Sequence, residues 1–299
     1  MSRTSTVSSS PRSGGAGPSV PTVPERPEEV RAALVSLGIR PSKRWGQSFL
    51  TDPFVADAEA ALVETPRGRP VVEVGGGLGI LTAALLRRGV EPLTVVEKDR
   101  RLAGFLSARF GPRVSVVTGD ALTVPLPPVD AVVGNLPYSV ATPILLRLFA
   151  ARVPRVVFLV QREVAERLAA GPGSKQYGRL SILAQLYGTV ELFRTVGAEA
   201  FCPRPEVDSR IAVHVATPGS LSVPSVPEFE ELLRTLFSSR RKQLANLLPR
   251  VAGSDRSARG LAERSGWPSD WEHRRPEDLP PTAYFALARE LASEPSPAR

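Results

Sequence analysis

Cysteine, methionine and histidine are scarce in this chain. Of its 299 residues, one is cysteine (Cys202), one is methionine and two are histidine, His214 and His273. A single thiol excludes an internal disulfide. One cysteine and two separated histidines supply no zinc ligand set, so no metal is expected. His214 lies in an apolar strand pattern and reads as structural. No apolar run approaches the roughly 18 residues of a membrane span, and the N-terminus lacks the charged-then-apolar pattern of a secretion signal. These absences lead to the expectation of a cytoplasmic protein without a membrane partner. There is no internal repeat.

What is present is a hydrophobic fraction of 42% and a net charge of +8. The length suggests two domains. The charge is uneven: residues 51–150 carry ten basic and ten acidic groups, whereas residues 1–50 and 151–218 carry excesses of four and three positive charges. A neutral centre flanked by cations suits a polyanion gripped around a pocket. A basic balance alone does not require a nucleic acid.

Residues 1–27 are rich in Ser, Pro, Gly and Thr and are expected to be a disordered tail. A short helix over 28–38 follows, stopped by Gly38. The strip Arg40 to Leu50 begins basic and ends apolar. It can lay Lys43 and Arg44 on phosphates and turn Gln47 and Ser48 toward a ligand, or it is a surface loop anchored by Trp45 and Phe49. Asp52 or Thr51 caps a helix with Pro53 in its first turn. Pro70 to Val74 then predicts a strand running into the turn Gly75-Gly76-Gly77-Leu78-Gly79, with a helix from Ile80 to Leu86. Glycines there let a ligand approach the backbone and the helix start. A second strand, Leu93–Glu97, ends in an acid 18 residues beyond Gly79, placed to accept both hydroxyls of a ribose. A third, Val114–Val117, leads to Gly119-Asp120-Ala121, where Asp120 can accept from an adenine amine. Strands over 129–134 and 153–160 and a helix to about Ala170 complete a doubly wound α/β pattern. Glu73, two positions before the glycines, would repel a pyrophosphate but suits a cationic ligand. That favours a sulfonium methyl donor over a nicotinamide cofactor.

The strand at 129–134 enters Asn135-Leu136-Pro137-Tyr138. Open α/β sheets place ligands at the carboxyl ends of their strands. The Asn135 oxygen and the Leu136 carbonyl can both accept from an exocyclic amine. Pro137 fixes the backbone, and Tyr138 offers a face on which an extruded base can stack. The same four residues also read as a turn with Asn as its cap and Tyr in the core. Further on, 171–180 is a basic, glycine-rich loop. Strands are expected over 190–196 and 211–215, with a stiff loop between them that carries Phe201 toward the site or into the core. Residues 216–227 read as a linker. Helices are expected over 228–238, 240–249, 256–265 and 282–292. Arg240, Arg241 and Lys242 would then stand at a helix start, where cations oppose the dipole and a bound anion would explain them. A solvated face would explain them equally well.

Taken in order, these stretches resemble the KsgA/RsmA family of ribosomal RNA small-subunit adenine N6,N6-dimethyltransferases over about residues 28–292. Gly46-Gln47-Ser48-Phe49-Leu50, Glu73 to Thr82, Val96 to Asp99, Gly119 to Ala121, Asn135 to Tyr138, Phe201 to Pro205 and Phe237 to Lys242 all find counterparts. Ser48 stands where the family usually has Asn, Gly76 where it has Pro, and Ser139 where it has Asn. The resemblance implies a Rossmann-like methyltransferase domain over 28–218 and a small helical RNA-binding domain over 219–299. It also implies S-adenosyl-L-methionine as cofactor and 16S rRNA of the small subunit, or its precursor, as partner, with the enzyme a monomer. Target-amine and base contacts fall to Asn135, Leu136, Pro137, Tyr138 and Phe201. Donor contacts fall to Gln47, Ser48, Leu50, Glu73, Gly75, Gly77, Gly79, Glu97, Asp120, Ala121 and Asn135, and RNA contacts to Lys43, Arg44, Arg240, Arg241 and Lys242. A sister enzyme that methylates 23S rRNA, an assembly factor with incidental methylation and a nicotinamide oxidoreductase are the competing expectations.

Overall fold

The computed structural model describes residues 22–41, 47–217, 223, 225–252 and 257–293. Lys43, Arg44 and Trp45, and most of the expected N-terminal tail, lie outside the described residues. The tail ends sooner than expected. Val23 is buried in a cluster with Leu50, Val55 and Leu81, and Glu25 N–H donates to the Glu29 carboxylate at 3.1 Å. Residues 22–27 therefore belong to the folded body, and the first helix, α1, spans Pro27–Ser36.

A seven-stranded sheet forms the centre. Its strands are β2 (Val71–Val74), β3 (Leu93–Glu97), β4 (Val114–Thr118), β5 (Ala131–Asn135), β6 (Arg155–Gln161), β7 (Gly188–Val196) and β9 (Ser209–Ala216). Two short strands lie outside it, β1 (Phe49–Leu50) and β8 (Phe201–Cys202). The sheet order is β4-β3-β2-β5-β6-β9-β7. The first five strands in that order run parallel, and β9 is antiparallel to both β6 and β7. The doubly wound sheet is thus present with a mixed edge. β2, β3, β5 and β6 are rich in Val and Leu and buried on both faces, whereas the edge strand β4 is largely exposed. The helices of this layer are α2 (Pro53–Ala61), α3 (Ile80–Arg87), α4 (Arg100–Phe110), α5 (Ala141–Ala150), α6 (Arg162–Ala169) and α7 (Arg179–Tyr187).

The chain goes from β2 outward to β3 and β4, then returns to β5 on the other side of β2. The crevice at such a reversal is where doubly wound sheets bind ligands. Both singled-out turns leave the sheet there, the glycine turn after β2 and Asn-Leu-Pro-Tyr at the end of β5.

Beyond residue 225 lie α8 (Val226–Phe237), α9 (Leu248–Ala252), α10 (Ala258–Arg264) and α11 (Pro281–Ser293). Their apolar faces, including Phe229, Leu236, Tyr284 and Phe285, join Trp267 of the loop after α10 in one buried cluster with Leu183 and Leu186 of α7 and Phe149 of α5. The helix expected over 240–249 is not formed. Residues 238–242 are a turn after the C-terminus of α8, and a 3-10 turn over Leu244–Asn246 precedes the five-residue α9. The cations at 240–242 follow a helix end instead of starting a helix. There they complement the dipole, and the argument for a bound anion falls.

Candidate active site

The glycine turn is held by geometry that side chains would disturb. Gly75, Gly77 and Gly79 all have positive φ. A Cβ on Gly79 would come within 2.6 Å of the Phe110 ring, and one on Gly76 within 2.5 Å of Val95. Gly76, which stands where the resembled family usually has Pro, is a close-packing position. Gly79 is the residue before α3 and packs against α4.

One cavity opens above these turns. Its walls bring together Gln47, Ser48, Leu50, Glu73, Gly75, Gly77, Glu97, Asp120, Ala121 and Asn135 with Leu136, Pro137, Tyr138 and Phe201. Of the residues singled out for donor or target, Gly79 is not on the lining. The wall carrying Gln47, Ser48 and Leu50 is fixed by pairing of β1 with β8, in which Leu50 lies opposite Phe201. Thr51 reinforces it, its N–H and hydroxyl donating to the Ala200 carbonyl at 2.8 and 3.0 Å. No local pattern in the sequence announces this pairing.

Three buried acids lie on the inner side, Glu97 and Glu73 on the cavity wall and Glu59 behind it. Glu97 accepts from Gly77 N–H at 3.0 Å and Asp99 N–H at 2.9 Å. Burial nevertheless raises its pKa. Glu73 accepts from the Thr82 hydroxyl at 2.6 Å. Burial is the larger influence on it, with the Glu97 charge adding, and its pKa is pushed up to about 8. Glu59 on α2 is wholly buried, and burial followed by the Glu73 charge holds its pKa well above the usual carboxylate range. At the opposite end Asp120 behaves in the contrary way. Lys98 Nζ donates to it at 2.7 Å and Leu122 N–H at 2.9 Å, and its pKa is lowered, chiefly by the lysine.

Asn135 is the last residue of β5, opposite Leu159 of β6. Its amide faces Glu59; both ends of the amide find partners only with the nitrogen assigned to the Glu59 side, where it lies 2.7 Å from Oε2. The N–H of Leu136 is spent on the Leu159 carbonyl at 3.2 Å. The Tyr138 hydroxyl is 2.6 Å from the buried Ser209 hydroxyl on β9, which anchors the far end of the ring.

Comparison with known proteins shows the family and the fold. The family model "ribosomal RNA adenine dimethylase" matches residues 39–262. The chain belongs to that family. It is similar at 37% identity, over 86% of its length and 95% of the relative's, to a probable ribosomal RNA small subunit methyltransferase A of Natronomonas pharaonis. A ribosomal RNA small subunit methyltransferase A of Anaeromyxobacter dehalogenans is 40% identical, over 73% and 82% of the two chains. Among solved structures, a dimethyladenosine transferase from Plasmodium falciparum superposes with a TM-score of 0.70 at 25% identity, covering 82% of this chain and 97% of that one. The 23S rRNA methyltransferase ErmE gives 0.61 at 24% identity, covering 82% and 100%, a likeness of fold. The dimethylase fold is thus the Rossmann-like α/β sheet with its helical C-terminal region.

Three features of this dimethylase escape sequence reasoning. Lys98 already neutralises Asp120. Glu59 belongs to the group of buried acids, and the spacing of Val55, Ala56, Glu59, Ala60 and Val63 does place it on the inner face of α2. Arg240 is not a free cation. It pairs with Glu277 and donates to the carbonyls of Lys175 at 2.7 Å and Ser174 at 2.9 Å. Arg241 and Lys242 are exposed.

Proposed function

We propose that this dimethylase transfers methyl groups from S-adenosyl-L-methionine to the N6 amines of two adjacent adenosines near the 3′ end of 16S rRNA. The observation that carries the proposal is the meeting of Asn135-Leu136-Pro137-Tyr138 and the acid-backed glycine turn in one cavity at the reversal of strand order. The curated relatives are named for the small subunit, which favours this reading over the 23S one.

The residues present fit the donor. Glu73 and Glu97 line the cavity as acids, and the nearby Lys98 is bound to Asp120. Such a wall suits a cation and opposes a pyrophosphate. Glu97 keeps lone pairs for the ribose hydroxyls, Asp120 accepts the adenine amine, and Gln47, Ser48, Leu50, Gly75, Gly77 and Ala121 close the remaining wall. When bound, S-adenosylmethionine supplies a methyl group already activated on sulfur. The chain's own task is positioning. An aromatic amine is a poor nucleophile because its lone pair enters the ring. Asn135 Oδ1 and the Leu136 carbonyl accept its two hydrogens and favour a more tetrahedral nitrogen. Pro137 holds that backbone, and Tyr138 and Phe201 flank the base.

RNA docking is assigned to exposed cations, Arg241 and Lys242 among the described residues, and to Lys43 and Arg44. The enzyme then acts as a cytoplasmic monomer on the small subunit or its precursor, with residues 219–299 as the RNA-binding domain. Replacing Asn135 by Ala is expected to abolish methyl incorporation into unmodified 30S particles while co-sedimentation with them persists. Full incorporation would remove Asn135 from the site. Loss of both activities with a lowered melting temperature would make it a structural cap.

A further inference from the structure

We propose that Glu59 is a positioning residue that sets the side-chain amide of Asn135 for the methyl acceptor. This rests on the reading of Asn135 as the group that holds the target amine. Glu59 lies on the inner face of α2 with Val55, Ala56 and Ala60, and it is 0% exposed. A carboxyl group in such surroundings is unfavourable unless hydrogen-bonded. No cation offsets it among the described residues, and the acid next to it, Glu73, adds repulsion. The group facing it is the Asn135 amide; assigned so that both its ends are satisfied, Nδ2 lies 2.7 Å from Oε2 and 3.3 Å from Oε1. The reverse orientation would set Oδ1 against the carboxyl oxygens and Nδ2 against donors only.

The orientation matters because the two ends of an amide are chemically opposite. Torsion at the end of an asparagine side chain is broad, so a free amide presents its NH2 as readily as its oxygen. A target amine is a double donor, and only Oδ1 can hold it. Glu59 accepts from Nδ2 when ionised and keeps an accepting oxygen when protonated. An ionised Glu59 can only accept. A protonated one can also donate to Oδ1, but that orientation leaves Nδ2 against donors only. In both states the nitrogen is therefore kept on the interior side and the oxygen is left for the substrate. Glu59 itself is not on the cavity lining, so it acts through Asn135.

A residue kept for the fold and one kept for orientation respond differently to an apolar replacement. Glu59→Leu removes a buried carboxyl and fills the space with carbon, so the melting temperature should stay level or rise. With 30S particles lacking the modification, its kcat should fall about ten- to a hundredfold. Donor affinity by calorimetry and KM for the particles should stay within about twofold. Glu59→Gln offers an amide oxygen to Nδ2 and should recover most of the rate. Wild-type kcat in Glu59→Leu, alongside an inactive Asn135→Ala, would overturn the proposal and leave the reading of Asn135 standing. An active Asn135→Ala would instead overturn that reading. Should Glu59→Leu fold poorly, Glu59→Gln decides alone: near-normal kcat supports the acceptor role, and loss of kcat with normal donor affinity overturns it.

Discussion

Behind the cavity, Glu59, Glu73 and Glu97 are buried with no cation paired to any of them among the described residues. Beyond residue 225 the carboxylates are handled in the opposite way. Glu231, Asp270, Glu272, Glu277 and Glu290 are each joined to an arginine at or near the surface. Exposed pairs of that kind contribute about 0–1 kcal/mol each, so individual members of the helical region are replaceable. Buried unpaired acids lower stability, and their persistence points to a ligand. The contrast separates a region whose acids are neutralised at the surface from one whose acids are buried without a cation.

The largest expected effect attacks the acid side. A carboxyl whose pKa is higher folded than unfolded binds more protons in the folded state between the two values. For Glu73 that window runs from the ordinary value of 4.5 to about 8, so stability falls as pH rises through it. Glu73→Gln should remove that share of the fall. Its advantage over wild type, absent below pH 4, should grow to a few kcal/mol above pH 8, read from ligand-free denaturation curves across that range. A constant difference at all pH values would show that Glu73 does not titrate there. Next in size, Glu97→Ala removes the acceptor assigned to the ribose. A lost charged hydrogen bond should weaken donor affinity about ten- to a hundredfold. Unchanged calorimetric affinity would take Glu97 out of the donor site.

The smallest effects divide the helical cations. Arg240→Ala breaks ties to Glu277, Ser174 and Lys175, and should cost about 1 kcal/mol of stability with donor binding intact. Arg241→Ala with Lys242→Ala should leave stability alone and lower the steepness with which RNA affinity falls as salt rises, by up to about two units of log–log slope. Equal behaviour of the two variants would erase the distinction between a structural arginine and docking cations.

The acid side was more legible in the sequence than the cationic one, for a physical reason. Glu97, Asp120 and Asn135 to Tyr138 each follow a short apolar strand, and strand ends in a parallel sheet converge on one crevice whatever the distant contacts. The stretch 240–249 has no such safeguard. Leu244, Leu247 and Leu248 have helical spacing and all are buried, so the pattern gave burial correctly. The backbone is set elsewhere, by Leu244 N–H donating to the Arg274 carbonyl at 2.8 Å. Charge counting likewise reveals that Arg240 is a cation but not that Glu277 holds it. Glu59 was visible as an acid in an apolar helix, yet its neighbour Asn135 lies 76 positions further along the chain.

The two-residue ladder between β1 and β8 bears on how the protein is made. It joins segments about 150 positions apart, with Thr51 and Ala200 separated by 149. Closing a loop of that length is slow relative to pairing neighbours. A nascent chain still attached to the ribosome at residue 200 already contains the glycine turn and Asn135 to Tyr138, but β1 has no strand to pair with. The wall carrying Gln47 and Ser48 therefore cannot be fixed until β8 has emerged, later than both of the turns it faces. The cavity becomes complete only after every strand of the sheet but β9 has emerged from the exit tunnel.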